Sequence, residues 1–180
     1  MFSTKVVTST ILVFALLALP GCSHKQVAPS TKTEAPASSS KVVQAVTQIV
    51  KLTDIAEKSE AEVAKILGPP LTELKDQDKW RYYGSNEWIA NCPTFHYING
   101  ISIKYVEGKA AQITITPVDP LAYADFNKAL QLVGLIPVTP SAKTDAGATW
   151  NNIEGIYKFQ VFNYKGKVSY IYAIVNEKYR

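Results

Sequence analysis

The sequence predicts an α+β fold, in which two helix-plus-antiparallel-hairpin repeats form one sheet with the helices packed on one face. Three observations carry this expectation. "SEAEVAKILGPP" (Ser59 to Pro70) has the marks of a short capped helix, stopped by a glycine and two prolines. Two stretches of alternating apolar residues surround the loops "EGK" and "KGK", as antiparallel hairpins do. The order helix, glycine stop, tryptophan, hairpin then occurs twice.

The chain has 180 residues, 47% of them hydrophobic and 11% aromatic, enough for one sizeable core. Its 19 basic residues exceed its 15 acidic ones by four, a slight and scattered excess that argues against a nucleic-acid surface. Residues 1–21 read as a signal peptide. Lys5 precedes the apolar run "VVTSTILVFALLAL", of about 14 residues, where a spanning helix needs about 20. "LPGC" (Leu19 to Cys22) then resembles the bacterial lipobox, in which the cysteine is acylated and becomes the mature N-terminus; Pro20 replaces the usual small or β-branched residue. The Gly-Cys pair closing the apolar run favours lipidation of Cys22 over an ordinary secretory signal. Ser23 after that cysteine, rather than Asp, resembles the pattern sent to an outer membrane, where the cell has one. Residues 22–41 are rich in Ser, Thr, Ala, Pro and Lys and read as a disordered tether. Such a coil reaches about 25 Å on average and about 70 Å when extended.

Residues 42–180 make the folded domain, with repeats at about 52–117 and 119–176. The apolar spacing of Val42, Val46, Ile49, Leu52 and Ile55 predicts a helix, with a strand as the alternative because so many of these residues are β-branched. Ser59 with Glu62 forms a capping box, Val63, Ile66 and Leu67 make an apolar face, and Gly68 ends the helix. "KWRYYG" reads as a strand. The alternation in "ISIKYV" and "AAQITIT" predicts Ile101 opposite Ile115 and Ile103 opposite Ile113 across a three-residue Glu107-Gly108-Lys109 loop. In the second repeat Asp119 is the expected N-cap and Pro120 the first helical residue. Leu121, Phe126, Leu130 and Val133 should share a face ended by Gly134.

"SEAEVAKILGPP", followed by "W-R-Y" and a hairpin, resembles the SmpA/OmlA (BamE-like) lipoprotein domain, and the duplicated arrangement resembles the fold of β-lactamase inhibitor protein. The likeness covers roughly Leu52 to Val175, and its pointed motif is helix-Leu-Gly-x-Pro-to-Trp; the second copy reads "LVGLIP". It implies a non-catalytic role, because members of these families brace an outer-membrane assembly machine or clamp an enzyme.

The register of the second hairpin, across Lys165-Gly166-Lys167, pairs Val161 with Ile171 and Phe159 with Ala173 on the core face. It turns Phe162, Tyr164, Tyr170 and Tyr172 to the opposite face, pairing Phe162 with Tyr170, Tyr164 with Val168 and Gln160 with Tyr172. The equivalent face of the first hairpin carries Ser102, Lys104, Gln112 and Thr114. These aromatics either bind a protein partner or lie under the loop from Ser85 to Gly100. That loop holds Cys92 and His96, which would serve a small envelope hydrolase or thiol enzyme; a buried small hydrophobe and a rim histidine is the plainer reading. A structural spacer with no specific face is a third reading. With Cys22 acylated, no intramolecular disulfide is expected at Cys92. One cysteine and two histidines do not make a metal set, and Asp76 and Asp78 sit on an expected turn. No catalytic residue, metal or cofactor is expected. The expected partners are a membrane, through the lipid, and another envelope or extracellular protein.

Overall fold

The computed structural model describes residues 46–74 and 79–180. The signal peptide, Cys22 with its tether, Asp76 and Asp78 lie outside the described residues. Among the described residues there are eight strands: β1 (Thr72–Leu74), β2 (Thr94–His96), β3 (Ile101–Val106), β4 (Lys109–Ile115), β5 (Ala142–Lys143), β6 (Gly147–Ile153), β7 (Ile156–Tyr164) and β8 (Lys167–Ile174). They form one antiparallel sheet in the order β1-β2-β3-β4-β8-β7-β6-β5. The helices are few and short: α1 (Leu52–Ile55), α2 (Glu60–Leu67) and α3 (Asn127–Leu132). Their buried residues, including Leu52, Ile55, Val63, Leu67 and Leu130, join the inward side chains of the sheet in one hydrophobic cluster.

Both hairpins reach the expected pairing by a different device. The connections are two-residue turns, Glu107-Gly108 and Lys165-Gly166, with φ of 52° and 71° in the first and 50° and 78° in the second. Positive φ at both central positions gives the mirror-image turn that matches strand twist. Alone, such a turn would place Ile103 opposite Gln112. A β-bulge corrects this, because Tyr105 pairs with Ala110 while Lys104 pairs with Gln112, leaving Ala111 extra. The second hairpin repeats the bulge: Asn163 pairs with Val168 and Phe162 with Tyr170, leaving Ser169 extra. The Ser169 hydroxyl donates to the Phe162 carbonyl at 3.1 Å. Tyr164 therefore pairs with Lys167, not with Val168 as the alternation suggested. Ala111 and Ser169 hold the same place counted from their turn glycines. The hairpins meet along β4 and β8, and in that seam Thr114 faces Tyr172, again at matching places.

Of the helix expected over residues 42–56, the described part, from Val46, is helical only at Leu52–Ile55, and residues 42–45 lie outside the described residues. The β-branched Val46, Ile49 and Val50 belong to an extended approach. It is held because the N–H groups of Ile49 and Leu52 donate to the carbonyls of Leu132 and Val133 at 2.9 Å, satisfying groups that the end of α3 leaves open.

Helix α2 begins where expected. Glu62 N–H donates to Ser59 Oγ at 3.4 Å, and Ser59 N–H donates to the Glu62 carboxylate at 2.9 Å. That backbone N–H, with help from the Ser59 hydroxyl, lowers the Glu62 carboxyl to about 2. Val63 and Leu67 are buried, but Ile66 is 48% exposed, so the apolar face is narrower than the spacing implied. Ser59→Ala should cost about 1 kcal/mol, read from the urea midpoint at unchanged m-value.

The helix expected to start at Asp119 begins later. Leu121 accepts from Val168 N–H and Tyr123 N–H donates to Gly166, both at 2.9 Å, so the sheet holds this stretch in an extended form. A single 3₁₀ turn, Tyr123–Asp125, precedes α3, which ends at Leu132 with Val133 as C-cap, followed by Gly134 at φ +70°. "KWRYYG" does not form a strand either. Trp80 makes one bridge to Ile89, and the chain then turns through Tyr82–Ser85. The place opposite Ile101, equivalent to that of Trp150 opposite Phe159, is filled by Tyr97, whose N–H donates to Ile101 at 2.7 Å.

Candidate functional site: the outer sheet face

Alternation along β7 and β8 divides their side chains between two environments. Phe159, Val161, Ile171 and Ala173 point inward and are at most 1% exposed. Phe162, Tyr164, Tyr170 and Tyr172 point outward, so the structure brings the four sequence-selected rings to one face. Phe162 and Tyr170 stack across the strands, with ring centroids 4.4 Å apart and planes at 16°. Cross-strand aromatic pairs of this kind stabilise a sheet and present a rigid apolar surface. Tyr164 lies at the end of the face, 64% exposed, with Lys165 Nζ 5.1 Å from its ring centroid. Tyr172 is half-buried in the seam between Gln160 and Thr114. Burial, followed by the charge of Tyr170, raises its hydroxyl to about 12.

Tyr164 and Tyr170 (37% exposed) remain in solvent while Phe162 and Tyr172 are half-buried, so the loop from Ser85 to Gly100 does not enclose the face. Part of that loop has another use, because Thr94–His96 is β2 and pairs with β3. Sequence reasoning missed β2 because three residues give too short an alternation to stand out from a loop.

Cys92 and His96 are placed on this segment but point to different partners. The Cys92 thiol is fully buried and donates to the carbonyls of Ile89 and Ala90 at 3.8 Å. His96 Nδ1 lies 2.6 Å from Ser102 Oγ. Among the described residues, no three His, Cys, Asp or Glu side chains come together to hold a metal, and no helix is long and apolar enough to cross a membrane.

A second exposed aromatic group lies outside the sheet. Trp88 is 63% and Tyr83 75% exposed, with the Arg81 and Arg180 guanidinium groups 5.1 Å and 4.4 Å from their ring centroids. Stacked arginines hold these rings in place.

No protein-family model matches the chain, and neither the curated proteins nor the solved structures contain a match.

Proposed function

We propose that the chain is a bacterial cell-envelope lipoprotein, acylated at Cys22, whose folded domain binds another envelope or extracellular protein without catalysing a reaction. Its role is that of an assembly-accessory or inhibitor-like module. The binding face is formed by Phe162, Tyr164, Tyr170 and Tyr172.

A comparison of the two hairpins carries this reading. Counted from the turn glycines, Phe162 and Tyr170 correspond to Lys104 and Gln112, and Tyr172 corresponds to Thr114. The fold therefore accepts ordinary polar residues at these places, and the stacked rings of the second hairpin are not required by its geometry. Large, rigid side chains on an open sheet give much contact area at low entropic cost.

The domain is, in this reading, a tandem repeat of about 52–117 and 119–176. Identical turns, bulges at matching places and a strand order that runs inward from both edges all support duplication. The Thr114–Tyr172 pairing makes the central seam self-complementary, as a two-fold interface between like units is. The likeness to SmpA/OmlA domains rests on α2 with its Leu67-Gly68-x-Pro70 ending. The burial of the Cys92 thiol against the Ile89 and Ala90 carbonyls and the His96–Ser102 contact also fit a non-catalytic role.

The anchor is tested by Cys22→Ala. Labelling by a fatty-acid analogue should be abolished, and the protein should move from the membrane to the soluble fraction. Persistent labelling would contradict lipidation at this residue.

A further inference from the structure

The charged residues on the strands that build the aromatic face are all basic. Strands β2 through β8 contain Lys104, Lys109, Lys143, Lys158 and Lys167, and neither Asp nor Glu. Lys143 is engaged elsewhere, with its Nζ 4.6 Å from the centroid of the Phe126 ring. Lys158 pairs with Ile174 on the same register as Gln160 and Phe162, and Lys167 pairs with Tyr164. The turn adds Lys165. Among the described residues, ion pairs are made by Lys51, Lys58, Lys128 and Lys178, and not by Lys158, Lys165 or Lys167. The acids nearest in sequence lie off these strands: Glu154 is in the β6–β7 turn, where its carboxylate accepts from Ile136 N–H, and Glu177 opens the 3₁₀ turn after β8. The Asp145 carbonyl accepts from Asn163.

We propose that the partner of this face is an acidic protein segment, which lays an apolar side chain on the Phe162–Tyr170 stack and sets carboxylates against Lys158, Lys165 and Lys167. The proposal rests on the binding-face reading above and adds the chemistry of the occupant. Complementary charge gives such a site speed of encounter and choice of partner, while the rings provide most of the contact energy. An apolar groove alone would accept any hydrophobic segment. Lys158, Lys165 and Lys167, with no acid on the described strands beside them, disfavour basic segments, because an unmatched like charge is costly to bring close.

The test selects phage-displayed random peptides on the purified full chain, with phosphatidylglycerol vesicles offered in parallel. The expected result is enrichment of peptides combining Asp or Glu with an apolar residue. Their affinity should fall about tenfold in Lys158→Glu/Lys167→Glu, with a smaller loss of the same sign in Lys158→Gln/Lys167→Gln. It should also be lost in Phe162→Ser/Tyr170→Thr, with melting temperatures nearly unchanged throughout, since such a pair contributes at most about 1 kcal/mol. Peptides that need Phe162 and Tyr170 but ignore the lysines would overturn the acidic partner and leave the binding face standing. Vesicle binding that depends on the lysines, with no acidic peptide enriched, would overturn it in favour of a membrane surface. If no selected peptide depends on Phe162 and Tyr170, the binding-face reading itself fails.

Discussion

Trp150→Ala should lower stability by about 4 kcal/mol, a large share of the ~5–15 kcal/mol that holds an ordinary domain together. Trp150 is 2% exposed and sits on β6, with its ring centroid 5.6 Å from both Phe126 and Phe159. Its indole N–H donates to the Val138 carbonyl at 2.8 Å. Truncation therefore opens a cavity between sheet and α3 and also releases the α3-to-β5 connection from its hydrogen bond. Trp150→Phe separates the two effects, since it keeps most of the ring contact and should lose about 1 kcal/mol for the bond. Trp88, 63% exposed, is the control, and its replacement by Ala should stay within about 0.5 kcal/mol. Urea titrations of the three variants decide the matter. A Trp150→Ala loss under about 1 kcal/mol would mean that the core does not depend on this ring.

Alkaline pH should unfold the domain steeply. Burial raises the hydroxyl pKa of Tyr82, Tyr97, Tyr105, Tyr123 and Tyr172, that of Tyr172 to about 12. A tyrosine in the unfolded chain titrates near about 10. Below that value both states keep their protons, and these groups leave stability unchanged. Above it the unfolded chain sheds protons that the folded one still holds, so the unfolded state gains. Stability should therefore be flat up to about pH 10 and fall with a slope that grows with each buried tyrosine as pH approaches about 12. Tyr97 and Tyr105 share one buried bond, with their hydroxyls 2.8 Å apart. Replacing both by Phe removes two of these protons without stranding a partner, so the alkaline limb should become shallower. Chemical denaturation at a series of pH values, followed by tyrosinate absorbance, provides the check. Stability unchanged to pH ~12 would contradict the burial of these hydroxyls.

Much of the fold was legible where a local pattern and its tertiary use agree. The capping box at Ser59 and Glu62 needs only residues three apart, and α2 starts there. The pairs Ile101–Ile115 and Val161–Ile171 followed from alternation, because only one register buries every isoleucine and valine on one side. The turn itself was not legible, since a three-residue loop and a two-residue turn with a bulge give the same pairs beyond it. They differ only next to the turn, where Tyr164 faces Lys167. The late start of α3 was hidden for a different reason. Asp119-Pro120 has the right local chemistry for a helix start, but β8 takes Leu121 and Tyr123 as backbone partners. The outward direction of Phe162, Tyr170 and Tyr172 was readable from register. Their stacking, their exposure and the lysines around them required the three-dimensional arrangement.

The claim that the second hairpin carries a protein-binding face is tested most directly by photocrosslinking in intact cells. A crosslinking side chain placed at Tyr164 lies on the open rim of the face, beside the stacked pair. It should yield a discrete protein adduct, and the same probe in a Phe162→Ser/Tyr170→Thr background should lose that adduct while the melting temperature stays nearly the same. An adduct of equal yield in both backgrounds, or a domain that unfolds on the double substitution, would contradict the account.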